Sequence, residues 1–180
     1  TSLFQAQYQS LAQKVAEWQA DGTLTPTFTV TGHSLGGYLA ASLLYDQPRV
    51  VEHAYLFNAP GQGGVVASTL NALLQAATGQ DRQLSLDLTR VTNIRAADGL
   101  SPIAGLGLAW GSPVLVGVED QHSPDVDQPA AARNHSQRVL TDALAVYDLF
   151  ARVDDSITPA AMRDLLGASS GRVSTTLEEA

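Results

Sequence analysis

At 180 residues, 44% apolar and 16% charged, the chain suits one domain with a real core, and its composition argues against disorder. A formal net charge of −8, with Lys14 the only lysine, argues against nucleic acid as a partner and against electrostatic attraction to anionic membranes. With no cysteine, disulfides, thiolate metal sites and a cysteine nucleophile are excluded, and no apolar run reaches the roughly 18 residues of a membrane-spanning helix.

The chain opens on Thr1 without a basic-then-apolar signal pattern, as expected of a processed form or an excised domain. Ser2-Leu3-Phe4-Gln5 reads as a capping box, and Phe4, Tyr8, Leu11, Val15 and Trp18 then recur at helical spacing. Asp21-Gly22 stops that helix. Phe28 to Thr31, β-branched and aromatic, predicts a strand. A glycine-rich pentad follows, and Tyr38 to Tyr45 predicts a helix ended by Pro48. Val50-Val51 and Ala54 to Phe57 give a second strand running into an Asn58-Ala59-Pro60-Gly61 turn. Val65 to Ala77 predicts a helix stopped by Gly79, and Val91 to Ala96 a third strand ending just before Asp98. Val114 to Val118 predicts a fourth strand, and the polar stretch Glu119 to Asn134, with two prolines, a loop. Ser136 to Val153 is expected as a long helix burying Val139, Leu140, Leu144, Tyr147 and Phe150. Thr158-Pro159 opens one more short helix, closed by Gly167, before a polar tail. Strands alternating with helices predict an α/β fold with a mostly parallel sheet.

The pentad Gly32-His33-Ser34-Leu35-Gly36 stands between a predicted strand and a predicted helix, where a nucleophile elbow belongs. Small residues at 32 and 36 are expected to keep the tight turn free of clashes. Ser34 would be lifted out of the sheet, and the Leu35 N–H, at a helix N-terminus, would form part of an oxyanion hole. The bland alternative is a glycine-rich turn with a serine cap. A serine hydroxyl becomes a nucleophile when a histidine takes its proton and a carboxylate orients that histidine, in the chain order Ser, acid, His for this fold. Asp98 directly follows a strand and suits the acid, though a plain turn aspartate before Gly99 would look the same. Two histidines come after it. His135, at the start of the long helix, is favoured as the base over His122 in the polar loop. His33 and His53 read as packed or surface histidines. No metal constellation appears, and no cofactor is expected. Ile103 to Trp110 is either a lid over an acyl chain or a loop packed on the core. Asn134-His135-Ser136 matches a glycosylation sequon, for which chance is the favoured cause.

Val30 to Gly37, the Asn58-Ala59-Pro60-Gly61 turn, and Asp98 followed by Ser101-Pro102 resemble a class 3 (fungal-type) lipase. Asn134-His135-Ser136 leading into Leu140 to Leu144 also resembles lipase-like domains embedded in large secreted bacterial proteins. The resemblance covers residues 1 to about 152. It implies an α/β-hydrolase fold, hydrolysis of acyl esters of lipids through Ser34, Asp98 and His135, export from a bacterium, and transient contact with a lipid surface; the composition suits a cytoplasm equally well. On that reading residues 1–168 are the C-terminal part of a hydrolase domain and 169–180 a tail or linker. The N-terminal strands and the second oxyanion donor would be supplied by an upstream complementing segment. A rival reading is a non-catalytic hydrolase-fold module of a larger protein, and thioesterase or peptidase chemistry would use the same triad. The residues give no oligomeric state.

Overall fold

The computed structural model describes residues 3–61, 87–97, 109–118 and 130–170. Four strands, β1 (Phe28–His33), β2 (Val51–Phe57), β3 (Val91–Ala96) and β4 (Val114–Val116), form one sheet in the order β1-β2-β3-β4. Every pairing is parallel. The expected alternation of strands with helices is present as a parallel sheet with flanking helices. In such a sheet the C-terminal strand ends share one edge, where chain reversals leave room for a site.

The two faces are set by strand alternation. On β2, Ala54 and Leu56 point one way, into a core with Val15 of helix α1 (Leu3–Ala20) and with Tyr38, Ala41, Leu43 and Leu44 of helix α2 (Leu35–Asp46). Tyr8 Oη donates to Asp46 Oδ2 at 2.8 Å and ties α1 to the end of α2. Phe57 points the other way, with Ile94 and Ala96 of β3, into a second core with Leu140 and Ala143 of helix α4 (Gln137–Val153). Helix α5 (Pro159–Ser170) packs beside β4, where a Cβ on Gly117 would lie 3.0 Å from Arg163 Cα.

Several expectations are corrected here. β2 is continuous from Val51, and β4 ends at Val116 rather than Val118. The end of the polar stretch is not loop: Ala130–His135 forms a short helix, α3. Three consecutive alanines, Ala130 to Ala132, are strong helix formers. Gly167 does not close α5, which runs on to Ser170; the buried Met162 and Leu166 anchor the helix past a residue of poor propensity. Trp18, expected on the buried stripe of α1, is 37% exposed under the cation of Lys14. Ser2 of the capping box, the helix expected at 65–77 and the tail from 171 lie outside the described residues. Among the described residues no helix is long and apolar enough to cross a membrane.

Candidate functional site

Ser34 is the single residue between β1 and α2. Its N–H donates to Phe57 O at 2.9 Å, extending the β1–β2 ladder by one step. Its carbonyl accepts from Gly37 N at 3.0 Å and Tyr38 N at 3.3 Å, which starts the helix. Serving both elements forces φ 55° and ψ −126°, a conformation that a side chain rarely adopts and that costs about 1–3 kcal/mol. So sharp a reversal brings backbone against backbone. A Cβ on Gly32 would overlap the Gly36 carbonyl, and one on Gly37 would lie 2.6 Å from Ala59 Cβ and 2.8 Å from Gly32 O. Gly36, expected to be a steric necessity, is not one: a Cβ there meets nothing within 4 Å. The crowded pair is Gly32 and Gly37.

The Leu35 N–H is the first of α2, and the first N–H groups of a helix have no partner within it. It is therefore a donor at the positive end of the helix, next to the Ser34 side chain.

His135 arrives from the far end of the chain, at the close of α3. Ser136 then breaks the helix with φ −63° and ψ 128° and caps α4, its Oγ accepting from Val139 N at 3.5 Å. This puts His135 Nε2 2.8 Å from Ser34 Oγ, close enough for the hydroxyl to donate. Partial burial, and then the nearby His33, hold the His135 imidazole below its ordinary range, so it stays neutral and able to accept a proton. Of the residues singled out in the sequence, Ser34, Leu35 and His135 come together. Asp98, two residues beyond the end of β3, and His122 lie outside the described residues, as does the stretch 103–108.

Two side chains at the site were not anticipated. His33 Nε2 donates to the carbonyl of His135 at 2.7 Å, and its ring lies 4.9 Å from the His135 ring. Asn58, fully buried at the end of β2 with φ 46°, donates from Nδ2 to the carbonyl of Asn134 at 2.9 Å and accepts at Oδ1 from Ala96 N at 3.0 Å. Strand alternation held a signal for His33, since it puts 31 and 33 opposite Val30, on the α4 side. Asn58 was legible only as a turn residue. His53 fits its bland reading: Nε2 meets Thr92 Oγ1 at 2.8 Å, on β2 and β3. Trp110, at the end of the candidate lid, is buried, donates to Pro60 O at 2.8 Å and packs edge-on against Tyr38, so this residue belongs to the core. Asn134 is 1% exposed, which closes the sequon to a glycan. A cavity of about 320 Å³ lies beside His33, between β1 and the first turns of α4, lined by Thr31, Phe57, Gln137 and Leu140 among others. Neither Ser34 nor His135 lines it, so it sits at His33 rather than at the hydroxyl. No group of three or more His, Asp or Glu that could hold a metal ion occurs among the described residues.

No known protein family, curated protein or solved structure matches the chain.

Proposed function

We propose that the chain is the nucleophile-bearing part of an α/β-hydrolase and acts as a serine hydrolase on carboxylic esters, with lipids as the substrate class. The observation that carries the reading is Ser34 Oγ at 2.8 Å from His135 Nε2, with Ser34 on a strained strand-to-helix turn. A serine held at this backbone cost with its hydroxyl on an imidazole is arranged for nucleophilic attack. His135 takes the hydroxyl proton as Oγ bonds to the ester carbonyl carbon. The oxygen that becomes negative is met by the Leu35 N–H. Collapse of the tetrahedral intermediate breaks the bond to the leaving alkoxide, which receives the proton from His135 and departs as the alcohol. Water then repeats the sequence on the acyl-enzyme and releases the acid. Asp98 is the proposed carboxylate that orients His135. The lipid preference comes from the resemblance of the motifs to class 3 lipases, as do secretion and passing contact with a lipid surface. A second oxyanion donor is proposed from a complementing segment adding to the outer edge of β1, which among the described residues pairs with β2 alone.

A fluorophosphonate probe tests the reading directly, because Oγ displaces fluoride from phosphorus by the same attack. With the complementing upstream segment supplied, the wild type should be labelled on Ser34 and Ser34→Ala should not, while residues 1–180 alone, short of one oxyanion donor, should react about a hundred- to a thousandfold more slowly. Absence of labelling in the complemented wild type, or undiminished labelling of Ser34→Ala, would refute it.

A further inference from the structure

Helix α3 has six residues and ends on the proposed base itself. The last carbonyls of a helix find no amide within it and must be satisfied from outside. Here the last two are taken by side chains from the ends of two neighbouring strands. Asn58 Nδ2, from β2, holds the Asn134 carbonyl at 2.9 Å, and His33 Nε2, from β1, holds the His135 carbonyl at 2.7 Å. A carbonyl only accepts, so His33 must carry its proton on Nε2 to make this contact. The other ends of both clamps are fixed. Asn58 is tied into the sheet edge by its own N–H to Ile94 O at 2.9 Å and by Ala96 N on Oδ1. His33 immediately precedes the nucleophile in the chain and belongs to the same ladder.

We propose that His33 and Asn58 are positioning residues: they hold the backbone of the base by its two terminal helix carbonyls and so set the His135 ring at hydrogen-bond distance from Ser34. The inference rests on the serine-hydrolase reading for its chemistry, though not for its geometry. The neighbour of the nucleophile thereby gauges the distance between nucleophile and base. A loss at either clamp leaves a carbonyl unsatisfied and lets the end of α3 move.

The decisive pair is His33→Phe, which keeps a ring of similar volume and removes the donor, against His33→Gln, whose amide restores an N–H near the Nε2 position. In the full chain, the rate of Ser34 phosphonylation by a fluorophosphonate should fall about tenfold to a hundredfold in His33→Phe, the range one orphaned carbonyl implies. It should recover by at least half of that loss, on a logarithmic scale, in His33→Gln. Asn58→Gly, which suits the positive φ and lacks the amide, should fall by a similar factor. A structural role alone would lower melting temperature in both His33 variants without separating their rates. Equal rates in the two His33 variants, or a wild-type rate in His33→Phe, overturn the proposal. A readout independent of activity is the imidazole ¹H–¹⁵N spectrum of the wild type. The His33 Nε2–H should be visible and slow to exchange, and absent from His33→Phe. A His33 Nε2–H exchanging as fast as that of free imidazole overturns the clamp whether or not Ser34 is labelled; failure of labelling with a protected Nε2–H removes the hydrolase reading and leaves the clamp standing.

Discussion

The two adjacent glycines of α2 should respond to the same substitution with opposite signs. At Gly37 an added Cβ would stand 2.6 Å from Ala59 Cβ and 2.8 Å from Gly32 O. Neither neighbour is the far end of a flexible side chain, so relief requires α2 to move off the β1–β2 end. Overpacking of that kind costs about 1–3 kcal/mol, and with backbone as one of the obstacles we place Gly37→Ala in the upper half, about 2–3 kcal/mol. At Gly36 the Cβ meets nothing within 4 Å, while alanine restricts the unfolded chain and favours the helix. At the second position of a helix that is worth about 0.5 kcal/mol of added stability. The difference of roughly 3 kcal/mol corresponds to about 6–12 °C in melting temperature for a domain of this size. Thermal and urea unfolding followed by circular dichroism measure both, with an unchanged m-value showing that the same surface is exposed. Melting temperatures within 2 °C of each other would refute the tight seam between α2 and the Asn58-Ala59 turn.

His135 sits below its ordinary range, so the rate of Ser34 labelling should stay level as pH falls past about 6.5 and decline only below it, with the midpoint read from a pH series; a midpoint above 6.5 would contradict the burial argument. The same depression means that the unfolded chain binds more protons between the two values, so its stability contribution is complete above the unfolded value and lost as pH falls through that window. Ser34→Gly and Ser34→Ala should abolish labelling alike, yet the glycine variant should be the more stable by about 1 kcal/mol, since glycine adopts φ 55° without strain; equal stabilities by urea titration would remove the strain argument. Ser136→Ala should destabilise by about 0.5 kcal/mol, at the low end for a helix cap because its bond to Val139 N is long at 3.5 Å.

Features carried by local pattern are legible in the sequence. The aromatic and β-branched run at 28–31 is a strand, Val91–Ala96 has the expected bounds, and Ser34 stands between strand and helix. What escaped depends on distant partners. His33 and Asn58 meet carbonyls 102 and 76 residues away, and a single sequence offers nothing to connect those positions. Buried polar residues are recognised by their hydrogen-bond partners, and pattern analysis sees only that one is polar. The glycine assignment failed for a related reason. The pentad marks 32 and 36, but which glycine is crowded depends on Ala59, which comes from the next strand's turn. Helix α3 is hidden by the polar character of the stretch as a whole, although its last five residues, Ala130 to Asn134, open with three strong helix formers.

A strained residue persists only where its surroundings leave it no alternative, and Ser34 meets that condition through contacts that its side chain does not make. Its N–H is committed to β2, its carbonyl to α2, and the room to relax is filled by the approach of Gly32 and Gly37 to each other and to Ala59. His135 is held by the same device, through main-chain carbonyls clamped from β1 and β2. Both members of the pair are thus fixed by backbone, and backbone clamps leave a histidine ring its two side-chain torsions. Those are limited by the Ser34 hydroxyl on one side and by the His33 ring, tilted at 43°, on another. Such an arrangement keeps oxygen and nitrogen at 2.8 Å, and under the proposed hydrolase reading no side-chain order would be lost at the moment of attack. The strain at Ser34 is borne by the strand ends on which it stands.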